Sequence, residues 1–443
     1  MPSIRSRWKA AAQLVAESRD LLDGRPGSSA DPPAALVSRD WVSFLLSLDE
    51  GELATIETHG HARWPDRTPP GLRSLLERAA DVCTLPTFSS PDVRTARRGE
   101  TPRKRAQVDA FGELVLPLAA HAARVVDVGS GHGHLTREIA RRTRLPVVGF
   151  DRDASLVGRA RRLSSGASPT FAVSDVLRDG LTLSAGDCVI GLHACGELGD
   201  LMVASVARSP GTMLALVGCC LQKRRQASRR PLCDDGPDGS LDLPKGLLGL
   251  SNLAASDEGV EASRVDNLAA RERRLALNRL LSEGGEPLRL GAELAGLNRR
   301  AAQGDLSHLV ERAFELRGRP TPPRTAIDEA ASWARREHSR ARRLSLPRAM
   351  LARVLEVYVL LDRASYLEEH GFAVEVGALF PMTVSARNLA LVARQDTDSS
   401  ASSFSIASHS ASHRSSCEVS SASSRSSDLT SSPGVRWKKP GSA

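Results

Sequence analysis

The chain has 443 residues, a formal net charge of +8, 41% hydrophobic residues and only 4% aromatics, enough for two or three domains with a substantial core. Its seven cysteines are odd in number and unevenly spaced; this excludes a disulfide-stapled secreted framework and predicts reduced thiols inside a cell, cytoplasmic or nuclear. No apolar run reaches the ~18 residues of a membrane-spanning helix, so no membrane partner is expected, and the positive charge leans towards a polyanionic partner or simply reflects Arg/Ala-rich helices.

In chain order, residues 1–100 read as a helical region. Arg5, Arg7 and Lys9 precede no apolar stretch, so they form no secretory signal. They begin either an organelle-targeting segment or, since Glu17 and Asp20 follow, the first helix of the body. Trp41, Phe44, Leu45, Leu46 and Leu48 make one apolar cluster, and Leu72, Leu75, Leu76, Ala79 and Cys83 make another. Residues 101–221 alternate β-rich runs with helical stretches, the βαβ pattern of a parallel sheet. Residues 222–346 are polar and Arg-rich, and read as a helical insertion that contacts the substrate. Residues 347–371 carry apolar residues at helical spacing (Leu351, Val354, Leu355, Tyr358, Leu361) and stop at Gly371. Two strand-like runs, "FAVEVGALF" and "NLALVAR", then complete the core up to residue 395. From 396 to 443 serine dominates and apolar clusters vanish, the composition of a disordered tail.

The most informative stretch is "VVDVGSGHGHL", Val125 to Leu135. A strand runs into a glycine loop and then a helix. The glycines are Gly129, Gly131 and Gly133, with Ser130 between the first two, and His134 stands where a dinucleotide fingerprint needs its third glycine. Asp127 lies just before the loop, where a carboxylate would repel a pyrophosphate but suits a cation. No G-K-[ST] follows, which excludes a P-loop. A ligand with a sulfonium, an ammonium and no phosphate fits: S-adenosyl-L-methionine (SAM). Asp151, closing "LPVVGFDRD", sits where a carboxylate holds a ribose diol. Asp175, after "FAVSDVL", is the candidate acceptor for the adenine amine. Taken singly, each aspartate is equally well a turn or cap residue; in this order, at strand ends, they point to SAM.

Two more apolar runs end in unusual residues. "DCVIGLHACGEL" leads to His193, Cys195 and Gly196, and "TMLALVGCCLQK" leads to Cys219 and Cys220. Neighbouring parallel strands would bring these together where ligands bind.

These motifs, with "VYVLLDRASYLEEHGF" and the closing "SARNLALVA", resemble the methyltransferase-like protein 25 family, whose members include proteins labelled as ribosomal RNA adenine dimethylase domain-containing. The resemblance spans about residues 38–394, more loosely in the N-terminal and 222–346 regions. It implies a class I SAM-dependent methyltransferase: an α/β Rossmann-like fold with a seven-stranded sheet, an N-terminal helical region and a helical insertion before the last two strands. It assigns the loop role to Asp127, Gly129, Gly131 and Gly133 and the ribose role to Asp151. Family members often read Ser-Pro-Lys-Lys and then His-Glu before the first strand; here Thr101, Pro102, Arg103 and Lys104 are followed by Ala106 and Gln107. The closing Ser-Pro-Arg-Asn is Ser385, Ala386, Arg387 and Asn388.

Adenine amine methylation uses an Asn/Asp-Pro-Pro-aromatic turn, and "HACG" has neither proline nor ring. His193 is instead either a general base or a histidine that shapes the turn. Cys195 is the tentative second catalytic residue, as a nucleophile that would add to a pyrimidine. His193, Cys195, Cys219 and Cys220 also number four zinc ligands, but H-x-C with an adjacent C-C is poor ligand spacing. Pocket-lining thiols with no metal are the expectation. Arg224, Arg225, Arg229 and Arg230 are either phosphate contacts at the pocket mouth or a solvated loop. The expected reaction is methyl transfer from SAM to an RNA or protein acceptor. The alternatives are a small-molecule methyltransferase, a SAM-binding regulatory or scaffold module without turnover and, more distantly, a nicotinamide oxidoreductase.

Overall fold

The computed structural model describes residues 2–24, 31–89, 101–164, 166, 168–233, 241–253, 261–282, 288, 291–395 and 408–409. Eleven strands are present among them: β1 (Thr87–Phe88), β2 (Arg124–Val128), β3 (Val147–Asp151), β4 (Thr170–Val173), β5 (Asp187–Cys195), β6 (Met213–Cys219), β7 (Ser228–Arg229), β8 (Leu243–Pro244), β9 (Phe372–Ala378), β10 (Leu389–Gln395) and β11 (Ser408–His409). Nine form one sheet in the order β11-β1-β9-β10-β6-β5-β2-β3-β4, and β7 and β8 form a separate two-stranded ribbon. From β4 to β6 the strands are parallel; β10 runs antiparallel to β6 and to β9. The seven expected strands are all there, and the expected count is corrected to nine by β1 and β11, two-residue strands at one edge.

Alternation of side chains fixes the layers. Val125 of β2 belongs to the core on one face, with Phe111, Leu114 and Ile139; Val126 belongs to the core on the other, with Met202, Leu216 and Leu355. Both faces are covered, so the central strands read as continuous apolar runs. Helices Pro102–Ala119 and His134–Thr143 cover the first face. Helix Glu197–Ala207, a long helix Arg324–Glu369 and the N-terminal helices cover the second. The segment from Arg5 to Lys9 lies in the first helix, Ile4–Glu17, whose Trp8 is fully buried. In the expected apolar clusters, Leu46 is the exception: it is exposed, while Trp41, Leu45 and Leu48 are core. Between β6 and β9, helices Glu261–Ser282 and Leu306–Glu315 and the start of the long helix share their own apolar core of Leu277, Leu280, Val310, Phe314 and Ile327.

The expected helix start at residue 347 is corrected to Arg324: one 46-residue helix passes straight through Pro347. A proline inside a helix removes one hydrogen bond and costs about 3 kcal/mol. Burial of Leu344, Leu346, Met350 and Leu351 on both sides of it offsets that cost. The tail read as disordered, 396–443, lies outside the described residues except at Ser408–His409, which pair with β1 as an edge strand.

Strand order reverses at β2, which has β3 on one side and β5 on the other. The crevice beyond the carboxyl ends of these strands is where an open α/β sheet binds its ligand. The glycine loop, Asp151, Asp175 and the "HACG" turn all lie at that end.

Candidate active site

The glycine loop follows β2. Gly129, Gly131 and Gly133 have φ of +81°, +54° and +72°, conformations that residues with a Cβ rarely adopt. A Cβ on Gly133 would come within 2.5 Å of the Phe171 ring, so packing demands that glycine. A Cβ on Gly131 would meet nothing within 4 Å: here the backbone borders open space. Ser130 presents a buried hydroxyl with no partner among the described residues. Bare backbone beside open space, next to an unsatisfied buried hydroxyl, fits a ligand such as SAM that must approach the main chain closely.

The three aspartates differ in their surroundings. Asp127 is 2% exposed and accepts a 2.7 Å bond from Thr136 Oγ1. Burial pushes its carboxyl up to about 7; the Thr136 bond works against this and the Asp151 charge adds to it. Asp151, at the end of β3, accepts from the Gly131 amide at 2.9 Å and from the Asp153 amide at 2.9 Å. It ties the loop to the neighbouring strand. Asp175 accepts from Arg225 Nη2 at 2.9 Å. Of the Arg224–Arg230 group, Arg224 and Arg229 are not phosphate contacts at a pocket mouth. Their side chains are 5% and 1% exposed and are held by Asp200 and, for Arg229, Asp362. Charges this deep require partners. Arg230 remains exposed.

The "HACG" turn ends β5. A register irregularity between Leu192 and Ala194 leaves His193 at φ +66° and sets Cys195 opposite Cys219 of β6. Gly196 (φ +49°) closes the turn, and any Cβ there would fall 2.2 Å from the Lys223 carbonyl oxygen. His193 Nε2 bonds Gln107 Oε1 at 3.1 Å, which leaves the Nδ1 lone pair available. Burial, and then the charges of Arg103 and Arg387, hold the imidazole below its ordinary pKa, so it is neutral near pH 7.

The sulfur atoms of Cys195, Cys219 and Cys220 all lie within 4.8 Å of one another, and no nitrogen of His193 belongs to this group. Cys195 and Cys219 are 3.0 Å apart, and their sulfurs lie 3.4 and 3.1 Å from the His193 carbonyl oxygen, within hydrogen-bond reach of it. The hydrogen bond from Cys219, helped by Lys223, lowers the Cys195 pKa; the same shared proton raises that of Cys219.

Sequence reasoning missed the partners that hold this site. Gln107 stood out only as a departure from the family pattern, yet it touches His193. Arg363, from the long helix, donates to the Gly196 carbonyl at 2.9 Å and to Asp200 at 2.9 Å, bracing the turn from behind. The closing motif is also structural. Arg353 bonds Glu356 and Asn388, Arg387 lies 3.5 Å from Glu356, and Asn388 caps the Phe380 carbonyl.

Residues 103–227 match a family described as "Methyltransferase domain". The chain is also similar to solved structures over part of its length. One is an S-adenosylmethionine-dependent methyltransferase from Mesorhizobium loti, at 23% identity over 25% of this chain and 53% of that one, TM-score 0.21. Another is magnesium protoporphyrin IX methyltransferase from Synechocystis PCC 6803 with bound SAM, at 19% identity over 28% and 66%, TM-score 0.21. A third is a SAM-dependent methyltransferase from Thiobacillus denitrificans with S-adenosylhomocysteine, at 21% identity over 27% and 50%, TM-score 0.22. The chain thus spans about half to two thirds of the length of these proteins. The stretch of the α/β core from 103 to 227 is similar to a methyltransferase domain. No helix among the described residues is long and apolar enough to cross a membrane.

Two substitutions test the loop. Asp151→Ala is expected to weaken SAM binding by about 1–3 kcal/mol, the cost of a lost charge-assisted hydrogen bond. Gly131→Val is expected to remove binding, since a branched side chain at φ +54° is strained and fills the space beside the loop. Titration calorimetry with SAM reads both; unchanged affinity in either variant contradicts the assigned role.

Proposed function

We propose that this chain transfers the methyl group of SAM to an RNA acceptor, with His193 taking the acceptor's proton. The observation that carries the reading is the charge around the strand ends. Arg103 and Arg387 act electrostatically on His193, and Lys223 and Arg152 act on Cys195. Arg103, Arg152 and Lys223 are exposed. Arg387 is held by Glu356, but the three exposed cations come from three separate segments around the ends of β5 and β6, a surface suited to phosphate oxygens. They replace the buried Arg224 and Arg229 as the candidate acceptor contacts. The resemblance to the methyltransferase-like protein 25 family, carried by "HACG", "GCC" and "SARN", accords with this reading, as does a cytoplasmic or nuclear location.

When bound, SAM supplies a methyl group made electrophilic by its sulfonium charge. The chain's own work is positional. The glycine loop lets the main chain approach, Asp127 offers a carboxyl beneath it, and Asp151 and Asp175 are the proposed acceptors for the ribose hydroxyls and the adenine amine. His193 is neutral near pH 7 and receives a proton at Nδ1 while Nε2 stays tied to Gln107. One observation favours a second reading, a SAM-binding module without turnover: Gln107 is uncharged, so its amide oxygen stabilises an imidazolium less than a carboxylate would.

Incubating the full chain with methyl-tritiated SAM and separated cell fractions distinguishes these. Label is expected in RNA. Label confined to protein or to small molecules overturns the RNA assignment, and tight SAM binding without transfer to any fraction favours the module.

A further inference from the structure

We propose that Cys195, Cys219 and Cys220 form a three-thiolate binding site for a zinc ion. The sequence alone argued against this, because the ligand spacing is poor. Three features of the structure reverse that reading.

First, the register irregularity at His193 brings Cys195 directly opposite Cys219 on the neighbouring strand, so both side chains emerge on one side of the sheet. Second, Cys220 has φ +43° and His193 φ +66°. Non-glycine residues in this region are strained, and such strain gathers at functional sites. Here the strained residues lie within β5 and immediately after β6, beside the thiols. Third, the sulfur atoms lie within 4.8 Å of one another, with one pair at 3.0 Å. Tetrahedral zinc with bonds of about 2.3 Å separates its sulfurs by roughly 3.8 Å, a value these distances bracket.

The charge balance is workable. Binding one zinc ion displaces three thiol protons and leaves a unit of net charge −1, with the cations Lys223 and Arg152 acting on it. Soft thiolates select zinc over hard divalent cations such as magnesium. Three protein ligands leave the fourth position to water or an acceptor atom, the coordination of an open zinc site. His193 supplies no ligand, so its proposed role as a base is independent of the metal.

The test reads metal without turnover. The full chain, purified without chelator or added metal, is expected to hold about one zinc per chain by elemental analysis. After chelation, titration with cobalt(II) is expected to produce the visible d–d bands of a tetrahedral site and sulfur-to-cobalt charge transfer. Cys195→Ser and Cys220→Ser are each expected to weaken zinc binding by more than about 100-fold, beyond the effect of disturbing an outer-shell partner. SAM calorimetry on each variant establishes that it is folded. Wild-type protein without zinc and without the cobalt bands overturns the proposal, as does zinc retained equally by the Cys195→Ser/Cys219→Ser/Cys220→Ser variant. A wild-type mass two hydrogens lower and metal-free, marking a Cys195–Cys219 disulfide, overturns it in favour of redox chemistry. None of these outcomes depends on methyl transfer.

Discussion

Asp200→Ala is expected to destabilise the fold by about 3–5 kcal/mol, the cost of leaving buried cations without their counter-charge. Asp200 lies in helix Glu197–Ala207 and receives bonds from Arg224, Arg229 and Arg363. Burial raises its pKa, but Arg229, Arg363 and Arg224 more than reverse this and hold it below the usual carboxylate range. The sign for pH follows. A depressed folded pKa contributes stability that is complete above the unfolded value of about 3.9 and is lost as pH falls towards the folded value. Urea unfolding of the wild type should weaken on acidification below about pH 4, and Asp200→Asn should lack that dependence. A loss below about 1 kcal/mol at neutral pH would class the cluster with exposed ion pairs of little net value. The effect reaches the site because Arg363, held by Asp200, also donates to the Gly196 carbonyl behind the "HACG" turn.

His193→Ala is expected to retain SAM affinity and lower kcat by about 10²- to 10⁴-fold, the range for a general base. Burial, Arg103 and Arg387 lower the pKa of His193 from 6.5. The wild-type rate should therefore rise with pH through a value below 6.5 and be level at neutrality. The variant should lack that limb, and its deficit should shrink at high pH as the acceptor ionises unaided. Gln107→Glu should shift the limb upward, because a carboxylate beside Nε2 favours the imidazolium. Wild-type kcat in His193→Ala would reduce the histidine to shaping its turn.

Local chemistry explains what the sequence revealed. The loop was legible because three glycines at alternate positions serve a backbone requirement, written into residues that sit side by side. Asp151 was legible because a strand end is marked by the apolar run before it. The long helix was misread at Pro347, where local chemistry says stop and packing on both sides overrides it. Arg224 and Arg229 were misread because the partner that buries both, Asp200, lies 24 and 29 residues away, and Asp362 lies 133 residues from Arg229. Nothing adjacent to an arginine announces so distant a carboxylate. The thiol cluster depends on one residue of register at His193, a property of strand pairing that spacing along the chain does not carry. Gln107 reaches His193 across 86 residues, for the same reason.

Titration calorimetry of the full chain with SAM, S-adenosylhomocysteine and NAD tests the central claim most directly. SAM and S-adenosylhomocysteine are expected to bind, with NAD giving no saturable heat and Gly131→Val abolishing the signal of both adenosyl ligands. NAD binding more tightly than SAM, or folded protein that binds neither adenosyl ligand, would contradict it.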